Sequence, residues 1–307
     1  MKDNNKQVIC MGEILIDFIG LHSSPDIAHT AEFKRFLGGS PANVAMNLTK
    51  LGCKATLVAT IGDDGLGDFL LQEMQSLGMN QDHVRKVTDV PTSTILVSKT
   101  SETPDFIAYR EADCKIINSQ LPDDVIKSAA VFHTTCFALS RNPARDTILE
   151  KVKVAATAGC LISIDLNYSA RIWPDKNQAI KTIKKYCSYG AMIKISMDDM
   201  QRLYGDAMTS SELFETLHGY GANLICLTRG GNGVIVSRRD HALLEMPAIP
   251  ITSVEDATGA GDAFWSGFLC AMLENRSLDQ CVEFALKVAS IKLTTIGGLP
   301  ANLSLQP

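Results

Sequence analysis

The run Asp256-Ala257-Thr258-Gly259-Ala260-Gly261-Asp262 brings two kinds of chemistry together. Its small residues let backbone N–H groups come close to a ligand, and the first N–H groups of a helix have no partners within it. Ile251-Thr252-Ser253-Val254 before it reads as extended, and Ala263-Phe264-Trp265 after it opens an apolar helical run that includes Phe268, Leu269 and Met272. The segment is therefore expected to be a loop feeding a helix N-terminus, an anion cradle suited to phosphate. Asp262 would lie in the first turn, beside the bound anion. One reading makes it an aspartate that complements the helix dipole. The other makes it a base that orients a hydroxyl toward a phosphoryl group held in the same cradle. Position alone leaves both open.

A second glycine-rich entry into a helix lies near the N-terminus, at Gly38-Gly39-Ser40-Pro41-Ala42-Asn43. Ser40 suits the N-cap and Pro41 the first helical position. Ala42, Ala45, Leu48 and Leu51 then share one face, and Gly52 is placed to end the helix. With the cap supplied by Ser40, the Asn43 amide is left to face a ligand. Asp17 interrupts a β-rich stretch, and a carboxylate buried alone is costly, so it belongs in a cleft or a pair.

These residues need a scaffold. Apolar strands are expected at Val8–Met11, Thr56–Ile61, Val131–Thr134, Leu161–Asp165, Met192–Ser196 and Leu224–Thr228. Helices are expected at Asp68–Leu77, Ala144–Thr157 and Gln178–Cys187. Thr209 with Glu212, and Ser277 with Gln280, form capping boxes for two more. This alternation marks an α/β fold with a mainly parallel sheet. Ligands in such sheets bind beyond the carboxyl ends of the strands, and Asp165, Ser196, Thr228 and Asp256 all fall at or just past such ends. Gly230-Gly231-Asn232-Gly233 is a hairpin turn. The stretch 92–110 breaks the pattern: Ser93–Ser98 and Phe106–Arg110 read as a hairpin. With the strands near 13–37 it is expected to form a small separate sheet, a lid.

Composition removes several classes. The chain has 307 residues, 46% hydrophobic and 21% charged, with net charge −5 and a pI near 5.7. No basic run points to nucleic acid. No stretch approaches the ~20 apolar residues of a membrane span, and Met1–Gln7 lacks the apolar core of a signal peptide. Nine cysteines, an odd number with no CxxC spacing, suit reduced thiols in a cytoplasmic protein. His133 reads as a strand-end residue and not a metal ligand.

With these motifs assembled, the chain resembles the PfkB (ribokinase-like) carbohydrate kinases. Gly38-Gly39-Ser40-Pro41-Ala42-Asn43-Val44-Ala45, followed by Gly52 and Gly62, matches that family's first signature, and Asp256 to Asp262 its second. The resemblance implies a ribokinase-like three-layer core (1–12, 39–91 and 111–307) with a mainly parallel sheet, and a β-sheet lid (13–38 and 92–110) over the sugar. It implies that Asp262 is the catalytic base and that Gly259, Ala260 and Gly261 form the anion hole. Asp17, Gly38, Gly39 and Asn43 would hold sugar hydroxyls. Thr228, Gly230 and Gly233 match the T-x-G-x-x-G that borders ATP. No Walker A sequence is present. Where the family carries N-x-x-E, this chain has Ser196-Met197-Asp198-Asp199. Ser196 would border the nucleotide, and Asp199 would reach Mg²⁺ through water. By the same resemblance Asp256 and the 294–298 loop would hold a monovalent cation, K⁺, and the lid would pair two copies into a homodimer.

Gly38 to Asn43 and Tyr109-Arg110 look most like fructokinases. Asp165-Leu166-Asn167-Tyr168 resembles the D-x-N-x-R of fructokinases and of 2-keto-3-deoxygluconate kinases, but Ser169 stands where the arginine belongs and Arg171 comes later. Arg110 and Arg171 are thus substrate-binding candidates. The expected activity is ATP-dependent transfer of the γ-phosphoryl group to a sugar hydroxyl, with fructose giving fructose 6-phosphate. The alternatives are a 2-keto-3-deoxygluconate kinase or another PfkB sugar or nucleoside kinase and, from another class, a non-catalytic sugar- or nucleotide-binding sensor. A dinucleotide oxidoreductase is excluded, because no GxGxxG follows the first strand.

Overall fold

A computed structural model describes residues 7–100, 105–295 and 297–300. In chain order its strands are β1 (Gln7–Met11), β2 (Leu15–Ser23), β3 (Phe33–Gly38), β4 (Lys54–Gly62), β5 (Val84–Val87), β6 (Thr94–Lys99), β7 (Phe106–Tyr109), β8 (Val131–Thr135), β9 (Leu161–Asp165), β10 (Met192–Ser196), β11 (Leu224–Thr228), β12 (Val234–Arg238) and β13 (Leu244–Met246). The helices are α1 (Ser40–Lys50), α2 (Gly65–Ser76), α3 (Asp123–Lys127), α4 (Ala144–Thr157), α5 (Lys176–Cys187), α6 (Met197–Tyr204), α7 (Ser210–Gly219), α8 (Ala260–Leu273) and α9 (Leu278–Leu293).

Nine strands form one sheet in the order β13-β12-β11-β10-β9-β8-β1-β4-β5. Its pairs from β11 across to β5 are all parallel, and only β12 runs against its neighbours. Strand alternation sends successive side chains to opposite faces. In β1, Ile9 and Met11 join the core formed with α3 to α7, whereas Val8 and Cys10 join the core formed with α1, α2, α8 and α9. This is the expected three-layer α/β architecture. The second sheet has four strands in the order β3-β2-β6-β7, which unites the segments flanking residues 15–38 and 94–109 as expected. The hairpin tip at 101–104 lies outside the described residues.

Two packing details position the site. At Gly267 in α8 an added Cβ would stand 3.0 Å from the Ala285 Cα of α9, so glycine lets these antiparallel helices approach closely. That brings the end of α9 to the start of α8. Trp265 stacks on Phe268 at 5.0 Å and donates its indole N–H to Ser163, which fixes α8 against the sheet.

Both expected capping boxes form. Three local expectations need correction. Ser40 is not the cap of α1: Gly39 takes that position at φ 98°, and no side chain caps the helix. His133 lies in the middle of β8, fully buried, with its ring Nδ1 2.9 Å from the Ser163 hydroxyl. The third concerns Ser196 and Asp199, which make a capping box for α6, a helix the sequence reading did not anticipate. Among the described residues, no helix is long and apolar enough to cross a membrane.

Candidate active site

The two glycine-rich helix entries meet at Asp262. The Ser40 hydroxyl donates to Asp262 Oδ1 at 2.6 Å, and the Asn43 amide donates to Oδ2 at 2.9 Å. The Asn43 amide, expected to be left for a ligand, is engaged by Asp262. Ser40, outside the cap position, reaches a partner 222 residues away. Its backbone N–H is met by Glu13 Oε1 at 3.3 Å. Glu13 also explains the glycine at 39, because a Cβ there would lie 2.5 Å from the Glu13 carbonyl oxygen.

Asp262 is only 9% exposed. Burial raises its pKa above the ordinary carboxylate range, while hydrogen bonds from Ser40 and Asn43 and the charges of Lys194 and Lys292 oppose the rise. Gly259 is the N-cap of α8 in the left-handed conformation at φ 76°, which glycine adopts without strain. The N–H groups of Ala260 and Gly261 then open the helix. Ala260 donates to the Ala257 carbonyl at 3.2 Å, whereas among the described residues no backbone carbonyl accepts from Gly261 N–H.

Beneath the cradle lies a residue that the sequence reading missed. Lys194 Nζ would be 2.7 Å from a Cβ built on Gly261, so the ammonium packs directly beneath the third position of Gly-Ala-Gly. Lys194 pairs with Asp165 at 2.9 and 3.1 Å, and both are buried. Although burial lowers the lysine's pKa, the surrounding carboxylates Asp165, Asp199 and Asp262 raise it above its ordinary value and favour the ammonium form. The signal was available: a lysine inside Met192-Ile193-Lys194-Ile195 has no reason to be there unless a carboxylate or an anion meets it.

Asp17 is half-buried on β2, and its carboxylate packs against Gly38, where a Cβ would stand 2.2 Å from Oδ2. Among the described residues no hydrogen-bond donor meets that carboxylate. Desolvation, with the nearby Asp262 charge, pushes its pKa up to about 7. Asp17 packs on Gly38, Asn43 donates to Asp262, and a Cβ on Gly259 would lie 3.9 Å from both the Asn43 amide and Asp262 Oδ2, so these residues lie close together.

Ser196 and Thr228 are register partners at the ends of β10 and β11. Gly230 and Gly233 follow at φ 55° and 82°, and a Cβ on Gly233 would meet the Met246 carbonyl at 2.0 Å. Asp199 Oδ2 already accepts from the Ser196 N–H and hydroxyl, and Oδ1 faces Arg202 at 3.4 Å. A carboxylate so engaged is a poor direct ligand for Mg²⁺, which prefers oxygens and commonly keeps several of its waters. Among the described residues no cluster of three or more His, Cys, Asp or Glu could hold a metal ion.

Two arginines are not delivered as free donors. The Arg110 side chain is fully buried; it pairs with Asp113 at 2.5 Å, donates to Ser140 and lies over the Phe137 ring. Arg171 is exposed and clamps Asp105 at 2.6 Å and the Phe106 carbonyl at 3.0 Å, tying β7 of the small sheet to the core. Asp256, the candidate for K⁺, accepts from the Lys292 ammonium at 3.1 Å.

A family model described as pfkB family carbohydrate kinase matches residues 5–303. The chain belongs to the pfkB family of carbohydrate kinases. An ATP-dependent 6-phosphofructokinase from Thermoanaerobacterium thermosaccharolyticum is 34% identical over 297 residues, covering 97% of this chain and 91% of that protein. The structure of Halothermothrix orenii fructokinase superposes with a TM-score of 0.82 at 31% identity, covering 92% of this chain and 98% of that one. A fructokinase from Xylella fastidiosa with bound ATP gives 0.84 at 25% identity, over 97% of this chain and 95% of that one. As a pfkB kinase the chain is an ATP-dependent phosphotransferase acting on a sugar, and the ribokinase-like fold expected from the motifs holds across its length.

Proposed function

We propose that this pfkB kinase phosphorylates a neutral ketohexose, with fructose as acceptor and fructose 6-phosphate as product. The observation that carries the reading is Asp262, held through both oxygens by Ser40 and Asn43 at the mouth of an anion cradle. In this reading the sugar hydroxyl lies against Asp262, and Asp17 accepts from neighbouring hydroxyls. The hydroxyl oxygen attacks the γ-phosphorus as Asp262 takes its proton, and the bond to the β–γ bridging oxygen breaks to release ADP. The raised pKa of Asp262 suits a proton acceptor. Charge on the transferring group falls on the N–H groups of Gly259, Ala260 and Gly261, over the Lys194 ammonium. ATP would lie along Ser196, Thr228, Gly230 and Gly233. Mg²⁺ bound with ATP neutralises phosphate charge, and Asp199 would reach it through water.

The relative named 6-phosphofructokinase favours a second acceptor, fructose 6-phosphate. A phosphorylated sugar, or an acid such as 2-keto-3-deoxygluconate, needs a cation at its charged end. Arg110 and Arg171 are both engaged by aspartates, so the neutral acceptor fits better. The intact base and cradle count against a non-catalytic sensor. The small sheet would act as the lid over residues 39–91 and 111–307. Its exposed Leu21, Ile107 and Tyr109 suit pairing of two copies, and the scattered thiols suit the reducing cytoplasm. The test is ADP release from ATP with fructose, fructose 6-phosphate, 2-keto-3-deoxygluconate, pentoses and nucleosides. The reading requires the highest kcat/KM with fructose and fails if an anionic acceptor exceeds it.

A further inference from the structure

The loop that leads into the anion cradle is folded around Asp256. Its Oδ1 accepts the Thr258 N–H at 2.9 Å, and its Oδ2 accepts the Gly297 N–H at 3.2 Å. The Lys292 ammonium lies 3.1 Å from Oδ2, 3.0 Å from the Asp256 carbonyl oxygen and 3.4 Å from the Thr295 carbonyl oxygen. One carboxylate and two carbonyl oxygens therefore converge on a single point. Such a set of oxygens can replace the hydration shell of an alkali cation, and it equally satisfies the three N–H donors of a lysine.

We propose that the Lys292 ammonium is the resident cation of this loop, so that the kinase neither binds nor needs a monovalent metal ion at Asp256. The proposal rests on reading the Gly259–Gly261 cradle as the phosphoryl site.

The backbone explains how the lysine arrives. Lys292 lies in the last turn of α9, and close packing at Gly267 sets that turn beside the start of α8. The residue is 4% exposed, and its Cε stands 3.9 Å from where a Cβ on Gly259 would be. A lysine in a last turn complements the helix dipole in any protein. That role needs only the carbonyls at the helix end. Lys292 instead crosses to both oxygen types of Asp256, and the segment is further pinned by the Glu255 N–H donating to the Leu293 carbonyl at 2.8 Å. Lys292 is thus a positioning residue. It touches no reacting atom, but it sets the loop from which the cradle N–H groups emerge and adds positive charge near Asp262.

The experiment compares wild type, Lys292→Ala and Lys292→Met in tetramethylammonium and in K⁺ buffers of equal ionic strength, reading both sugar-dependent ADP release and melting temperature. Wild type should change less than ~2-fold in kcat, with no K⁺-specific gain in Tm, because its cation is covalently attached. Lys292→Ala opens space and leaves the oxygens unpartnered. It should lose ~10-fold or more in kcat without K⁺, recover most of that with K⁺ or NH₄⁺, and gain ~2–5 °C in Tm from K⁺. Lys292→Met fills the space without charge and should be slow in both buffers. Several-fold activation of wild type by K⁺ overturns the proposal. So does Lys292→Ala with wild-type turnover, or one with lost turnover and no K⁺ response in rate or Tm. If Lys292→Ala does not fold, the wild-type K⁺ response and a slow, K⁺-indifferent Lys292→Met decide. Absence of turnover by wild type on every sugar would reject the functional reading instead, and the melting data would still judge the cation.

Discussion

Ser40 donates its hydroxyl to Asp262 at 2.6 Å, a contact that joins the first helix of the core to α8. The adjacent Asn43 amide takes the other carboxylate oxygen. A carboxylate offers roughly four lone-pair sites, so two donors orient it and still leave room for a substrate hydroxyl. The bond also favours the ionised form of a buried acid.

Removing that donor should therefore raise the pKa of Asp262. In Ser40→Ala the acidic limb of the kcat profile should move to higher pH, with kcat at neutral pH falling by ~3–30-fold and the sugar KM nearly unchanged. An unmoved acidic limb would show that Ser40 does not tune the base.

Lys194 and Asp165 are buried together, and breaking such a pair strands the remaining charge. Lys194→Met should cost ~3–5 kcal/mol of stability. Adding Asp165→Leu should restore much of the stability while turnover stays low, because the cation beneath Gly261 is still missing. Urea unfolding and ADP release on the same samples separate the two effects. Recovery of turnover in the double variant would assign the pair to folding alone.

Asp17 and Glu13 are acids that the fold makes harder to ionise. Burial lifts Asp17 to about 7 and Glu13 to about 8. Unfolded, each titrates near ~4. Between those values the native state binds more protons than the unfolded chain, so their contribution to stability is lost as pH rises from ~4 to ~8. Asp17→Asn removes one share of that loss. Melting curves should show a larger gain for Asp17→Asn at pH 8 than at pH 5, while kcat/KM for sugar falls. Equal gains at both pH values would mean that Asp17 ionises freely in the native state.

Arg171 is exposed and spends its guanidinium on Asp105 of the small sheet. Arg171→Ala should change kcat/KM for fructose by less than ~5-fold, the scale of a surface pair. Selective loss of activity on 2-keto-3-deoxygluconate, together with a preference for that acid in wild type, would instead make Arg171 a substrate residue.

The chemistry was legible where residue type and backbone demand coincide. Gly259 needs its positive φ and Gly39 its missing Cβ, so Gly-Ala-Gly-Asp and Gly-Gly-Ser-Pro-Ala-Asn announce themselves in the sequence. The alternation of buried strands gave the three layers, and the 92–110 hairpin gave the second sheet. What failed was local reasoning about residues whose partners lie far away in sequence. Ser40 has the composition of a cap, but Asp262 outcompetes the local N–H groups. Ser196 and Asp199 were read only as a departure from a ligand motif, although Ser-x-x-Asp is also a way to start a helix, and they start α6. Lys194 and Lys292 looked like interruptions in an apolar strand and an ordinary last-turn lysine. Only the fold brings Lys194 beside Gly261 and Lys292 beside Gly259.

The central claim is that Asp262 is the base of a sugar kinase, and Asp262→Asn tests it most directly. Asparagine keeps the shape and can still face Ser40, so the melting temperature and ATP binding should stay near wild type while kcat with fructose falls ~10²–10⁴-fold. A folded Asp262→Asn enzyme that turns over fructose within about twofold of wild type, a loss far below that range, would contradict the account.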